Sequence, residues 1–263
     1  MSAKPKVAVY KFSSCDGCQL QLLNLEDELI DLAGIVELAY FLEARRQTLP
    51  GPYDVGIVEG SVTTLEEAER IQHIRRDCKF LLTIGTCATA GGVQALRNFA
   101  DVQEYAAAVY AHPEYLKTLA TSTPMSAHVK VDLELWGCPV NKYQLLEVIA
   151  SLVQQRRPAL PQYSVCLECK RRGTTCVIVA NGIPCLGPIT RAGCGAICPA
   201  YARGCYGCFG PLPTAEFEAF NPILKATERR PGEGLRLLRT ISPAAPGFEK
   251  AAKLIAFEET KHA

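Results

Sequence analysis

The chain has 263 residues, of which 48% are apolar and 21% charged, and its formal net charge is +1 at pH 7. This length supports one large or two modest globular domains. A near-neutral chain without basic or acidic blocks lacks the electrostatics of a nucleic-acid-binding protein, so no nucleic acid is expected as a partner. No apolar run approaches the ~18 residues of a membrane span, which argues against direct membrane insertion.

The first predicted element is a strand, KVAVYKF, at Lys6–Phe12. No apolar signal region and no twin-arginine pair precede it. We therefore expect a cytoplasmic protein. Thirteen cysteines are unusual for such a compartment. Because disulfides are rare under reducing conditions, dense cysteine favours metal or cluster binding.

Strand and helix signals alternate after this first strand. Apolar residues at helical spacing predict a helix over Gln19–Leu32, and strand-like runs cover Ile35–Leu42 and Tyr53–Gly60. A capping box, Thr64 with Glu67 three residues later, predicts the start of another helix.

The alternation continues to about residue 155. The nearly all-apolar run Lys79–Ala88 predicts a strand covered on both faces, as in a parallel sheet. A second strand-like pattern covers His128–Pro139, and Asn141–Gln155 has the spacing of a helix. The fold class predicted is α/β, with a doubly wound parallel sheet that is flavodoxin-like in outline.

Two prolines in Arg156–Gln162 break this pattern. We therefore predict a first domain at residues 1–157 and a second at 158–263. As far as about Pro213 the second part has no periodicity and is rich in Cys, Gly and Pro, so a bound group must hold it together. Its last 50 residues are predicted to be a partly helical tail.

Four cysteines of the first domain follow predicted strands. They are Cys15, Cys18, Cys87 and Cys138. The carboxyl ends of parallel strands meet at one edge of a sheet, so these thiols are expected to converge there. Four thiolates suit an iron–sulfur cluster or a structural zinc, and ligands from three distant segments favour the cluster. Cys78 precedes a strand and is predicted to be structural. Glu59, near the same edge, is predicted either to hydrogen-bond locally or to help a proton path.

The remaining eight cysteines lie within 43 residues. They are Cys166, Cys169, Cys176, Cys185, Cys194, Cys198, Cys205 and Cys208. The simplest partition is sequential, with the first four at one site and the last four at another. Interleaved ligation stays open, because a cysteine before proline can ligate the other cluster of a pair. The flanking C-x2-C pairs also fit a zinc ribbon.

Six motifs together resemble the small, electron-transferring subunit of nickel–iron hydrogenases. They are CDGC (15–18), VEGS (58–61), GTCATAGG (85–92), GCPVN (137–141), PCLGPITRAGC (184–194) and CYGC (205–208). The resemblance implies electron transfer through this chain and no catalytic residue on it. Hydrogen would be split on a large partner subunit, and a flavin- or iron–sulfur-containing subunit would exchange the electrons.

The resemblance implies proximal, medial and distal iron–sulfur clusters, and because Cys198 is available where many relatives hold a three-iron medial cluster, we expect all three to be [4Fe–4S]. Cys15, Cys18, Cys87 and Cys138 would ligate the proximal one. Cys166, Cys169, Cys176 and Cys185 would ligate the distal cluster. Cys194, Cys205 and Cys208 would ligate the medial cluster. Cys198 supplies a fourth medial ligand where many relatives have proline, and Cys166 stands where many respiratory members have histidine.

These departures, together with the missing export signal, resemble cytoplasmic hydrogenases of the sulfhydrogenase, NAD(P)-linked or deazaflavin-linked type. Two alternatives remain. One is an iron–sulfur reductase subunit like that of respiratory complex I, although that family normally has adjacent cysteines where this chain has CDGC. The other is a zinc-binding interaction module joined to a flavodoxin-like domain.

Overall fold

A computed structural model of the protein describes residues 4–262, with side chains as far as Phe257. The chain folds into two compact units, Met1–Ala159 and Leu160–Ala263. In the part described, no helix is both long and apolar enough to cross a membrane.

The first unit is built on a five-stranded parallel sheet with the strand order β2-β1-β3-β4-β5 among the residues described. Its strands are β1 Lys6–Lys11, β2 Glu37–Phe41, β3 Tyr53–Glu59, β4 Cys78–Ile84 and β5 Leu133–Leu135. Its helices are α1 Gly17–Leu23, α2 Asp27–Ile35, α3 Leu65–Asp77, α4 Gly85–Ala90, α5 Val102–Val109 and α6 Lys142–Val153. This order is the flavodoxin-like one, so the predicted α/β class is confirmed.

The register of the sheet brings the strand ends level. Lys11 is opposite Glu59, Glu59 is opposite Ile84, and Ile84 is opposite Leu135. The segments that follow β1, β3, β4 and β5 therefore all begin at one edge of the sheet. This alignment positions the candidate site.

The core explains why these segments adopt these elements. The capping box of Thr64 and Glu67 is present at the start of α3, as predicted. Helix α3 then packs Ile71 and Ile74 against Tyr10 and other buried residues of the sheet. The apolar face of the helix and one face of the strands thus bury each other.

Three predicted elements differ from the structure. The helix predicted at Gln19–Leu32 is two helices, because Glu26 has a left-handed φ of 56° that no continuous helix allows. The strand predicted at Lys79–Ala88 ends at Ile84 and continues as α4. Only Leu133–Leu135 of the run His128–Pro139 is a strand.

The second unit has little regular structure in its cysteine-rich part. Its helices are α7 Val165–Arg171, α8 Val177–Asn181, α9 Ile197–Ala200, α10 Phe217–Ala226, α11 Glu233–Thr240 and α12 Pro246–His262. A small core combines Val165, Val177 and Ala196 with the cysteines Cys185 and Cys205. Cysteine side chains thus replace much of the usual apolar packing, as expected for a segment organised around bound groups.

Candidate metal centres

Four cysteines of the first unit lie just beyond the aligned strand ends. Cys15 and Cys18 flank the start of α1 after β1, Cys87 is the third residue of α4 after β4, and Cys138 follows β5. Cys18 is buried, Cys87 is half-buried, and Cys15 and Cys138 are exposed. The site therefore reaches from the interior of this unit to its surface.

The four thiols are near enough to influence one another. Burial raises the pKa of the Cys18 thiol, and the charges of Glu59, Cys87 and Cys138 raise that pKa further. Burial raises the pKa of Cys87 to about 11, and Cys138 and Cys15 contribute. The thiols predicted to share a site are therefore brought together. Cys18 and Cys87 as free thiols therefore stay protonated at neutral pH, so a cationic group is needed to hold these two as thiolates.

Glu59 holds the turn between the first two cysteines. It ends β3 with only 2% of its surface exposed, and its carboxylate accepts hydrogen bonds from the N–H groups of Cys18 (3.0 Å) and Gln19 (2.9 Å). Helix α1 has no side-chain cap of its own, since Asp16 precedes it with a φ of 66°. Glu59 thus caps that helix from a neighbouring strand. Local hydrogen bonding, one of its two predicted roles, is present.

Replacing Glu59 by Gln is expected to loosen this turn. The amide keeps one acceptor oxygen and turns an NH2 group toward the other N–H donor, which leaves a buried donor unpaired at a cost of about 1–3 kcal/mol. We expect a lower unfolding temperature and a weaker electron paramagnetic resonance (EPR) signal from a cluster at this edge.

Glu67→Gln is the matched control. Glu67 also binds backbone N–H groups, those of Thr63 (2.7 Å) and Thr64 (3.2 Å), but a capping box accepts either Glu or Gln. It should change the unfolding temperature little and leave the EPR signal intact. Equal losses in both variants would contradict a special role for Glu59.

Glycines leave room beside these thiols. A Cβ added at Gly85, where φ is +83°, would lie 2.4 Å from Cys18 Sγ, and one at Gly92, where φ is +67°, would lie 2.6 Å from Cys87 Sγ. Both distances are far below van der Waals contact. The thiols are therefore cradled by backbone, which suits a bulky inorganic group that the backbone must approach closely.

Gln94 was not foreseen from the sequence. The Cys87 thiol donates to its Oε1 (3.6 Å), while its Nε2 donates to Ser13 O (2.6 Å) and Ser61 Oγ (3.2 Å). This amide links the loops after β1, β3 and β4 beneath Cys87. No sequence signal marks a single Gln two residues after a glycine pair, so only the fold reveals it.

Cys78 is separate from this group. It begins β4, is buried, and belongs to the apolar core of the sheet. Burial raises its pKa to about 11. Its placement agrees with the structural role predicted for it.

Four cysteines of the second unit form one group. Burial raises the pKa of Cys166 to about 11, with added contributions from Cys185, Cys169 and Cys176. A Cβ added at Gly187 would lie 3.3 Å from Cys185 Sγ and 3.5 Å from Cys166 Sγ. These two thiols therefore both lie beside the same glycine, and the other two are near enough to affect the pKa of Cys166.

The last four cysteines are linked in two pairs. Burial raises the pKa of Cys194, and Glu168 and Cys198 add to the effect. Burial raises the pKa of Cys205 strongly, with contributions from Cys185 and Cys208. The N–H of Cys205 also donates to Cys185 Sγ (3.1 Å), so the two sets meet at these residues.

The helical tail packs against the CYGC segment. Ser242 Oγ donates to the carbonyl of Gly207 (3.1 Å). A Cβ added at Gly207 would lie 2.8 Å from the ring of Phe248, which is in α12. The tail thus covers Gly207, while the neighbouring Tyr206 remains exposed.

The spacing of the thiols bears on the kind of group they suit. A tetrahedral zinc ion with Zn–S bonds of about 2.3 Å brings its sulfur ligands within about 4 Å of one another. Among the residues described, no three or more His, Cys, Asp or Glu side chains are close enough together to hold an ion. The described thiols are thus grouped without forming a ready-made site for a single ion.

Comparisons with known proteins agree with this geometry. The sequence profile of the family described as "NADH ubiquinone oxidoreductase, 20 Kd subunit" matches residues 15–152. Sulfhydrogenase 2 subunit delta of Pyrococcus furiosus is 36% identical over 238 residues, which cover 90% of this chain and 99% of that protein. A subunit of the F420-non-reducing hydrogenase of Methanocaldococcus jannaschii is 30% identical, and the alignment covers 78% of this chain and 81% of that protein.

A solved structure is also similar. It is the crystal structure of an NAD+-reducing [NiFe]-hydrogenase in the H2-reduced state, which matches with a TM-score of 0.55 and 25% identity. The match covers 60% of this chain and 96% of the other.

Proposed function

The chain belongs to the family of the NADH ubiquinone oxidoreductase 20 kDa subunit and, within it, to the small subunits of hydrogenases; on that premise, we propose that it relays electrons through three [4Fe–4S] clusters. The electrons would pass between a nickel–iron site on a large subunit and an acceptor subunit that carries flavin or iron–sulfur groups. When bound, iron–sulfur clusters supply reversible one-electron storage.

The grouping of thiols at the sheet edge is the observation that carries this proposal. Cys15, Cys18, Cys87 and Cys138 would hold the proximal cluster, with Glu59 fixing the turn that presents two of them. The exposure of Cys15 and Cys138 supports a partner chain that covers this edge.

The second unit would hold the other two clusters. We assign the distal cluster to Cys166, Cys169, Cys176 and Cys185. We assign the medial cluster to Cys194, Cys198, Cys205 and Cys208. Support for the first set comes from Gly187, which lies beside both Cys185 and Cys166, and from the effect of Cys185, Cys169 and Cys176 on the pKa of Cys166. The second set follows the order of the sequence, and the contact of Cys205 with Cys185 brings the two sets together. In both sets the protein's part is to exclude water and to direct N–H groups at sulfur, which tunes the reduction potential.

The alternative function, a reductase subunit like that of complex I, belongs to the same sequence family. The profile of that family ends at residue 152, before the eight clustered cysteines. The sulfhydrogenase subunit aligns over 90% of the chain and thus reaches into that segment. This coverage favours a hydrogenase partner. The cytoplasmic location remains a prediction from the sequence.

Metal analysis of the anaerobically purified protein tests the proposal. We expect about twelve iron and about twelve acid-labile sulfide per chain, since each [4Fe–4S] cluster contributes four of each. Nickel should accompany a co-purified large subunit with two separated C-x-x-C pairs. Zinc in place of iron would contradict the relay and favour an interaction module, and iron without nickel would favour the complex-I-like alternative.

A further inference from the structure

Charge is distributed unevenly in the second unit. Residues 160–215 contain one carboxylate, Glu168, against five cationic side chains. The cationic residues are Lys170, Arg171, Arg172, Arg191 and Arg203. The whole chain has a net charge of only +1, so positive charge is concentrated in the cysteine-rich part.

The single carboxylate does not offset this charge at the surface. Glu168 lies between two cysteines in α7, and its carboxylate accepts a hydrogen bond from Gly193 N (2.9 Å). Its other oxygen lies 4.0 Å from Cys194 Sγ. Glu168 thus joins α7 to the segment before α9. Its position between two cysteines, as the sole carboxylate of the segment, could have marked it in the sequence.

Four cations lie on the segments that carry or adjoin two thiols of the distal set, the half-buried Cys169 and the exposed Cys176. Lys170, Arg171 and Arg172 are consecutive and exposed at the end of α7, directly after Cys169. The guanidinium of Arg229 donates to Asn181 O (3.0 Å) at the end of α8, the helix that begins directly after the exposed Cys176. We call Lys170, Arg171, Arg172 and Arg229 the cationic rim.

The guanidinium groups of the rim are held by neutral partners. Arg172 Nη1 donates to the carbonyl of Gly195 (3.0 Å), and Arg171 lies 5.2 Å from the centre of the Tyr163 ring. These contacts fix the side chains in place without neutralising their charge. The three guanidinium groups of the rim are therefore held in place. Among the residues described, the one carboxylate that contacts the rim, Glu233, accepts from the backbone N–H of Arg229 (2.8 Å) and not from its guanidinium.

Apolar side chains are exposed beside the rim. Val179, in α8, is 84% exposed, and Leu167, in α7, is 36% exposed. Charged residues around a small apolar contact are typical of protein interfaces in which charge steers the encounter. Lys170 and Arg171 lie in the last turn of α7, where positive charge interacts favourably with the helix dipole. Arg172 and Arg229 lie outside that helix, so the dipole does not explain the whole rim.

We propose that the cationic rim docks the acidic face of a protein electron carrier, so that the carrier's redox group lies against Cys169 and Cys176. The proposal rests on the proposed function for the identity of the cluster beneath. The occupant is a protein with carboxylates around its redox centre, because the rim combines held guanidinium groups and an apolar contact with two candidate cluster ligands, the half-buried Cys169 and the exposed Cys176.

Binding of an acidic two-cluster ferredoxin to the purified complex of this chain with its large subunit, free of the acceptor subunit, tests this. The double variant Lys170→Glu/Arg171→Glu is expected to raise the Kd by about 10-fold or more at low salt, since like charges then face each other. The difference should shrink to less than about 2-fold at ~0.5 M salt, where screening shortens the reach of charges to a few ångströms.

Two further variants make the test specific. Lys170→Gln/Arg171→Gln removes charge without reversing it and should have an intermediate effect, even if the reversal variant folds poorly. Arg46→Glu/Lys130→Glu makes the same charge change at exposed cations of the first unit and should leave the Kd unchanged. Iron content and the distal EPR signal should be the same in all of them.

Three outcomes would overturn the docking proposal. They are a salt-independent Kd, an equal loss in the Arg46→Glu/Lys130→Glu control, and binding to anionic phosphatidylserine vesicles in preference to the ferredoxin. Absence of iron from the wild-type protein would instead overturn the proposed function. Metal analysis detects that failure, whereas the binding measurement detects failure of the docking proposal.

Discussion

Cys87→Ala is expected to remove one cluster and leave two. Iron should fall by about four per chain, and hydrogen-driven reduction of an acceptor should fall by at least ~100-fold, because loss of contacts around the ligands alone costs about 10–100-fold. Alanine is preferred to serine, whose oxygen can still ligate iron. The EPR signals of the second unit should persist, since its eight cysteines lie in a separate compact unit.

Cys78→Ala is the matched control for this experiment. Cys78 is also a buried thiol of the first unit, but it packs in the sheet core and not among the four grouped cysteines. Its replacement should lower the stability by about 1 kcal/mol through lost packing and leave the iron content unchanged. If both variants lost the same iron, or if all three cluster signals disappeared together in Cys87→Ala, the assignment of Cys87 to an independent first cluster would be wrong.

The sequence predicts the sheet well because its signals there are local. The runs that form β1, β3 and β4 are rich in apolar and β-branched residues, and turns follow each of them. Strand ends converge in any parallel sheet, so the position of four cysteines after strands was enough to predict that they meet. The grouping follows from topology alone and needs no knowledge of side-chain contacts.

The predicted elements fail where an apolar run has two explanations. Gly85–Ala90 continues the apolar run of β4, and composition does not separate a buried strand from a buried helix. The structure resolves this through Gly85, whose positive φ ends the strand. Leu133–Leu135 is short for a similar reason, since alternation over twelve residues indicates a possible strand but not how much of it finds a partner.

Contacts between residues far apart in the chain could not be predicted from the sequence. Glu59 caps a turn 41 residues earlier in the chain, and Gln94 contacts Ser13 across 81 residues. Neither residue type indicates its partner in advance. The second unit is similar, because the contact between Cys205 and Cys185 depends on how irregular loops fold and not on a repeating pattern.

Gly85→Ala is expected to disrupt the first site without touching a ligand. Gly85 has a φ of +83°, which costs an alanine about 1–2 kcal/mol, and its new Cβ would lie 2.4 Å from Cys18 Sγ. Displacement of that buried thiol adds about 1–3 kcal/mol of overpacking. The two costs add to about 2–5 kcal/mol, so the unfolding temperature should fall by roughly 4–20 °C, at about 2–4 °C per kcal/mol, and the proximal EPR signal should be lost or altered.

Gly34→Ala makes the same chemical change with the opposite expected sign. Gly34 is exposed in α2, and a Cβ there would meet no atom within 4 Å, so alanine should stabilise the helix by up to ~1 kcal/mol. Loss of visible iron–sulfur absorption on heating measures both variants in the intact complex. A Gly85→Ala protein with an unchanged unfolding temperature and an unchanged proximal signal would mean that Cys18 does not need the space at Gly85. The close packing of backbone around the thiols would then have no part in holding the cluster.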